Sequence, residues 1–215
     1  MLGQTVANRY KLTENLLSDP LITLYRAHDQ SDNKPVLLTL LSEKALSRPL
    51  EVQLRFKRAV EQASKLSHPS LLKTILISES EKQTILVQEY FEGEPLAKFL
   101  NQPWDTDKAV ELLMQIASAL STSHEQSLLH QALKPQHILV SSQQSGEPQA
   151  AKLFNFGYSI LQDISRITEK EEILSTFGYL SPESSGILRK PVDSRSDIYS
   201  LGILFYQLLA GRLPY

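Results

Sequence analysis

The stretch His130–Val140, with the sequence HQALKPQHILV, decides the fold of this chain. Its centre, Lys134-Pro135, predicts a short turn, because the proline ring fixes the backbone and disfavours helix at the residue before it. Ile138–Val140 is an apolar run of strand length. The stretch therefore predicts a turn that leads directly into a strand.

The composition is that of an ordinary globular protein. Apolar residues make up 41% of the 215 and charged residues 21%, enough for one sizeable core or two small lobes. The net charge of −2 gives no electrostatic reason to expect nucleic acid or an anionic membrane as a partner. The chain has no cysteine, which excludes disulfides and thiolate metal sites. There is no apolar run of about 18 residues and no signal-peptide layout, so we expect a cytoplasmic protein.

The part of the chain before residue 91 is predicted to be rich in strands. Residues 10–29 predict two strands with a turn between them, and Val36–Leu41 predicts a third. A helix is predicted over 50–66, with apolar residues on one face. Residues 72–90 then predict a hairpin around a polar turn.

The part after a linker near 91–95 is predicted to be rich in helices. Asp105 or Thr106 can cap a helix that runs to about residue 125. The polar segment 141–150 predicts a loop between two short strands, and 158–181 has weak periodicity. A last helix is predicted over Ser196–Leu209, with Gly211 and Pro214 marking its end.

The opening stretch resembles the catalytic loop of eukaryotic-type Ser/Thr protein kinases, H-R-D-L-K-P-E-N-I-L. Further segments resemble that family in the family's own order: LYRA at 24–27, LSHP at 66–69, LVQEYFEG at 86–93, KLFNFG at 152–157, GYLSPE at 178–183 and SDIYSLG at 196–202. The resemblance implies an α+β, two-lobe protein kinase-like fold that is truncated after the αF helix. It implies an N-lobe over 1–92, with an antiparallel sheet and an αC-like helix, and a partial helical C-lobe over 93–215.

The residues that would carry phosphoryl transfer differ from the family pattern. In the family that the chain resembles, a lysine binds the α/β-phosphates of ATP and pairs with a glutamate of the αC helix; the places of these two residues hold Thr39 and Ala59. The places of the catalytic aspartate, the metal-holding asparagine and the D-F-G aspartate hold Ala132, His137 and Asn155. A threonine hydroxyl cannot replace a cation, and an alanine cannot accept the substrate proton. Mg²⁺ prefers oxygen ligands to histidine nitrogen. We therefore predict no intact catalytic residue set and no metal, with Lys134 retained in a structural role.

The nucleotide site is also predicted to be altered. The three glycine places of the phosphate-binding loop hold Leu17, Asp19 and Ile22, for which an ordinary β-turn is the better interpretation. Leu37 stands where the family has a small residue above adenine, and burying its side chain is worth roughly 1.5–3 kcal/mol. We expect no cofactor, with ATP and Mg²⁺ disfavoured, and a pocket closed by its own leucines. The would-be adenine pocket consists of Leu24, Leu37, Gln88, Glu89, Phe91 and Leu139.

Other family positions are kept, and the resemblance implies structural roles for them: His130, Phe156, Gly157, Glu183 and Asp197. Gln131 replaces the arginine that would bind a phosphorylated activation loop. Phosphorylation in that loop would therefore lack its usual partner; its candidate residues are Ser165, Thr168, Ser175 and Thr176.

We interpret the chain as a pseudokinase, an inactive kinase-like module that regulates or scaffolds a protein partner or a further domain of the same polypeptide. Chains of this kind are similar to bacterial multidomain signalling proteins. Two alternatives stay open: an unconventional Ser/Thr protein kinase acting through Lys134, Asn155 and His137, and an ATP-binding sensor without turnover. Because the family usually continues beyond the segment that ends at Tyr215, we expect a fragment or a naturally short domain.

Overall fold

The structure is a computed structural model that describes residues 1–80, 83–142, 148–164, 167 and 176–214. Its strands are β1 (Thr5–Val6), β2 (Tyr10–Ser18), β3 (Ile22–Asp29), β4 (Lys34–Leu41), β5 (Thr74–Ser80), β6 (Gln83–Gln88), β7 (Glu94–Pro95), β8 (Ile138–Ser142) and β9 (Pro148–Leu153). Its helices are α1 (Glu43–Leu46), α2 (Leu50–Ser64), α3 (Thr106–Glu125), α4 (Tyr158–Leu161) and α5 (Ser194–Ala210). Short 3-10 helices cover Leu96–Phe99 and Pro135–His137.

Two antiparallel sheets form the strand part of the molecule. The larger has six strands in the order β1-β2-β3-β4-β6-β5, and the smaller has three in the order β7-β8-β9. Helices α3 and α5 pack on each other, and α3 also packs on β9. The predicted α+β fold, strand-rich first and helix-rich second, is confirmed.

Local side-chain chemistry sets the ends of several elements. The predicted turn between β2 and β3 is present, because the Asp19 carboxylate accepts hydrogen bonds from the backbone N–H groups of Leu21 and Ile22 at 2.8 and 2.9 Å. Asp105 caps α3 by accepting from two backbone N–H groups of the first turn. Gly211 ends α5 in the left-handed region, with φ of 68°.

Some predicted boundaries differ from the structure. Helix α5 begins two residues before the predicted start, because the side chain of Asp193 accepts from the backbone N–H of Arg195 at 2.9 Å. The prediction gave no element for β1 and α1, which are too short to show periodicity. The linker near 91–95 contributes β7 to the smaller sheet.

Several predictions fall on residues that the structure does not describe. These are part of the polar loop 141–150, most of the segment 165–175, and the candidate phosphorylation residues Ser165, Thr168 and Ser175. None of the helices in the described ranges has the length and apolar character that crossing a membrane requires.

Candidate active cleft

The cleft is built where two loops meet beside the smaller sheet. Strands β8 and β9 pair with Ile138 opposite Leu153, so the loop before β8 lies next to the loop after β9. The backbone N–H of Phe154 donates to the carbonyl of His137 at 3.1 Å, which joins the two loops. This pairing brings the predicted catalytic-loop and D-F-G-like positions together.

Asp197, buried at the start of α5, holds the first of these loops. Its carboxylate accepts from the backbone N–H groups of His130 and Gln131 at 2.9 and 2.7 Å, and from His124 Nε2 at 2.8 Å. Because a buried charge is stable only with such partners, the loop conformation depends on this one side chain.

His130 connects the two loops from inside the core. Its Nε2–H donates to the carbonyl of Phe154 at 2.8 Å, and its ring meets the ring of Phe156 edge-on at 4.8 Å between centroids. Complete burial lowers the pKa of His130 below its ordinary value. The imidazole therefore acts as a neutral structural connector.

The place of the family's phosphate-binding lysine holds a neutral hydrogen-bonded pair. Thr39 is completely buried in β4, and its Oγ1 donates to Gln88 Oε1 at 2.8 Å. Ala59, in the place of the αC glutamate, is buried beside Gly157. Sequence analysis predicted Gln88 in the adenine pocket and did not predict its hydrogen bond with Thr39, which depends on the register of β4 on β6.

The place of the catalytic aspartate is linked to the place of the metal-holding asparagine. His137 Nδ1–H donates to the backbone carbonyl of Ala132 at 2.8 Å. Burial, and then the charge of Lys134, hold the pKa of His137 well below its ordinary value. Its Nε2 and the amide nitrogen of Asn155 are buried without a hydrogen-bond partner among the described residues.

Lys134 is almost completely buried, and its Nζ lies 4.8 Å from the centroid of the Tyr158 ring. A cation over an aromatic face is stabilised by the ring quadrupole. Tyr158 also meets the ring of His137 edge-on at 4.5 Å. Sequence reasoning missed Tyr158, although an aromatic residue directly after Gly157 was available as a signal.

The would-be adenine pocket contains side chains of the chain itself. Leu24, Leu37 and Leu139 are completely buried in one apolar cluster, against which Phe91 packs. Glu89 faces elsewhere: its carboxylate accepts from Lys152 Nζ at 2.6 Å.

Three further predicted residues lie near the loops. Gly157 has φ of 86°, and a Cβ there would lie 3.1 Å from the ring of Phe56. The Glu183 carboxylate accepts from Ser196 Oγ at 2.5 Å, which holds the pKa of Glu183 below its ordinary value. Thr176 is buried, and its hydroxyl accepts from Gln162 Nε2 at 3.1 Å.

The donor atoms of the cleft do not fit Mg²⁺. That ion takes oxygen ligands, usually with one or two carboxylates. Here the two relevant positions offer an imidazole nitrogen from His137 and one amide from Asn155.

Residues 22–215 match the family described as the protein kinase domain. The chain therefore belongs to the protein kinase domain family.

Two similar proteins come from bacteria. Over 221 residues the chain is 30% identical to the serine/threonine-protein kinase pkn3 of Myxococcus xanthus, an alignment that covers all of this chain and 40% of that protein. Over 219 residues it is 28% identical to the serine/threonine-protein kinase PrkC of Bacillus subtilis, covering all of this chain and 32% of that protein. The chain thus spans 40% or less of the length of these curated relatives.

Among solved structures, the fold is similar to that of the PknI kinase domain of Mycobacterium tuberculosis. The TM-score is 0.76 and the identity is 23%, and the similarity covers all of this chain and 79% of that one. At this identity the similarity shows the fold, and the kinase-like two-lobe architecture is confirmed.

The interpretation of the chain as an inactive pseudokinase is wrong. Relatives that align over the whole chain at about 30% identity are named as serine/threonine-protein kinases. They support the alternative of an active protein kinase. That interpretation rested on the replacements at Ala132 and Asn155, which are differences at single positions.

Proposed function

We propose that this chain is an unconventional Ser/Thr protein kinase, which transfers the γ-phosphoryl group of ATP to a serine or threonine hydroxyl of a protein. The observation that supports this proposal most is the alignment of the whole chain with proteins named as serine/threonine-protein kinases. The proposed substrate is a protein; nucleic acid and membrane have no part in it.

In the proposed reaction, the hydroxyl oxygen of the substrate forms a new bond to the γ-phosphorus of ATP. The bond from that phosphorus to the β–γ bridging oxygen breaks, and its electron pair leaves with ADP. The hydroxyl proton is released to solvent. Such transfers go mostly through loose transition states, in which positioning and charge stabilisation contribute more than proton abstraction.

Lys134 supplies the positive charge in this proposal. It lies in the loop whose backbone N–H groups, at His130 and Gln131, donate to the Asp197 carboxylate. Its side chain is almost completely buried. A cation in a poorly solvated site interacts more strongly with phosphate oxygens than one in water does.

Asn155 Nδ2 and His137 Nε2, both buried and without a hydrogen-bond partner among the described residues, orient the reacting groups in this proposal. The Asn155 amide nitrogen can donate to a phosphate oxygen. His137 donates through Nδ1 to Ala132, so its Nε2 is left as an acceptor for the substrate hydroxyl. Because the pKa of His137 lies well below its ordinary value, the imidazole orients the hydroxyl and does not keep its proton.

The test is transfer of a radioactive γ-phosphate from ATP to dephosphorylated casein, with phosphoamino acid analysis, with and without Mg²⁺ or Mn²⁺. The natural chain is expected to label serine or threonine, and Lys134→Met is expected to lose the label. Lys34→Met is the matched control, because Lys34 is an exposed lysine of β4 paired with Asp32. Labelling no greater than that of Lys134→Met would contradict the proposal.

A further inference from the structure

Six apolar side chains from both sides of the cleft form a single buried cluster, the cleft cluster. Its members are Leu16, Leu24, Leu37, Leu72, Leu139 and Phe154, and each is 7% exposed or less. Three of them come from the larger sheet, one from the smaller sheet and two from adjoining segments. The cleft cluster therefore joins the two sheets directly.

The strand pairing explains why these side chains meet. In the larger sheet, Leu24 of β3 lies opposite Thr39 of β4, and Leu37 of β4 lies opposite Gln88 of β6. In the smaller sheet, Leu139 of β8 is paired on both sides. Side chains alternate between the two faces of a strand, so Leu37 points into the cleft cluster while its neighbour Leu38 lies in a different apolar cluster.

Polar contacts around the linker hold the same closed arrangement. Arg26 Nη2 of β3 donates to the backbone carbonyl of Gly93 at 2.7 Å and to the carboxylate of Glu94 at 3.1 Å. On the other side of the linker, Lys152 Nζ of β9 donates to Glu89 at 2.6 Å. These partly buried ion pairs tie both sheets to the segment between them.

We infer that the chain holds its own nucleotide cleft closed, because the cleft cluster takes the space that adenine would need. ATP binds only after Leu37 and its neighbours separate, so opening of the cleft regulates the kinase activity. This inference rests on the proposed function, since it concerns the same cleft, and it adds an autoinhibitory contact to it. The apparent affinity for nucleotide is reduced by the small fraction of molecules that are open.

The experiment compares adenosine binding by the natural chain, Leu37→Ala and Leu38→Ala, measured by isothermal titration calorimetry. Adenosine is the probe because it lacks phosphate and reports the base pocket alone. Leu38→Ala is the matched control: the two leucines are adjacent in β4 and equally buried, but Leu38 lies outside the cleft cluster. Leu37→Val and Leu38→Val give the same comparison with less loss of core volume, should either alanine variant fail to fold.

Leu37→Ala is expected to bind adenosine at least about tenfold more tightly than the natural chain, while Leu38→Ala binds as the natural chain does. Equal binding by the natural chain and Leu37→Ala would overturn the inference, and so would binding by neither of them. An equal gain in Leu38→Ala would also overturn it, since general loosening would then be the cause. If Leu37→Ala gains binding but no variant transfers phosphate to casein, the proposed function fails and the closed cleft stands.

Discussion

Thr39 Oγ1 of β4 donates to Gln88 Oε1 of the neighbouring strand β6 at 2.8 Å, and both side chains are buried. At this position the family that the chain resembles has a lysine that binds phosphate and pairs with a glutamate, and this chain has Thr39. The observed pair is neutral and complete in itself. It stabilises the larger sheet without the desolvation cost that a buried ion pair would carry.

Removing both partners of this pair should cost less stability than the sum of the two single removals. Thr39→Val leaves the Gln88 acceptor buried and unsatisfied, with an expected loss of about 1–3 kcal/mol. Thr39→Val/Gln88→Leu should lose clearly less than the sum of the single variants, as measured by urea unfolding. Thr13→Val, at an exposed threonine of β2, is the control and should change stability by about 0.5 kcal/mol or less. Additive losses would contradict the pairing.

Asp197→Ala should unfold the catalytic loop region or the whole chain at lower denaturant. The substitution leaves two buried backbone donors, those of His130 and Gln131, without their charged acceptor, and about 3–5 kcal/mol is expected. Asp193→Ala, at the exposed cap of the same helix, should lose about 1 kcal/mol. Similar losses in the two variants, compared by guanidinium unfolding, would argue against the role of Asp197.

Gly157→Ala tests a close approach at the second loop. An alanine there adopts a left-handed backbone, at about 1–2 kcal/mol, and its Cβ meets Phe56 at 3.1 Å and Ala59 at 3.2 Å. Gly186→Ala shares the positive φ, at 80°, but its Cβ meets nothing within 4 Å. Thermal unfolding should therefore show a larger loss of stability for Gly157→Ala than for Gly186→Ala. An equal loss would mean that backbone strain, and not contact with Phe56 and Ala59, causes the destabilisation.

Stability should fall as the pH falls below about 6.5. Burial lowers the pKa of His137 and of His130 in the folded chain, so the unfolded chain binds more protons in that range. Each histidine then lowers the free energy of unfolding by at most about 1.4 kcal/mol for each pH unit of acidification. The free energy of unfolding therefore rises as the pH returns towards neutral. Urea unfolding between pH 5.5 and 7.5 measures the slope. His137→Asn should reduce it, while His28→Asn, at an exposed histidine of β3, should leave it unchanged.

The sequence predicted those features that neighbouring residues determine. The turn at Asp19 and the start of α3 follow from the Asp19 and Asp105 side chains, which accept hydrogen bonds from the adjacent backbone. The end of α5 follows from Gly211, which adopts the left-handed backbone conformation. The order of short family motifs was sufficient for the fold. Such signals need no knowledge of the distant contacts in the chain.

Contacts between distant segments were not predictable. The bond from Thr39 to Gln88 depends on the register of β4 on β6, and the contact of Lys134 with Tyr158 depends on how two loops meet. Leu16 joins the cleft cluster from outside the quoted motifs, and Phe154 joins it from the variable position of KLFNFG. The pseudokinase prediction was wrong for a different reason. It rested on single replacements at Ala132 and Asn155, whereas the names of relatives that align over the whole chain support an active kinase.

The most direct test of the account is the initial rate of γ-phosphate transfer from ATP to casein by the natural chain, Lys134→Met and Leu37→Ala. The proposed kinase activity predicts slow labelling of serine or threonine by the natural chain and none by Lys134→Met. Labelling by Leu37→Ala should be faster, because its cleft opens more easily. No labelling by the natural chain and by Leu37→Ala, with both folded and adenosine bound to Leu37→Ala, would contradict the claim that this chain is a protein kinase.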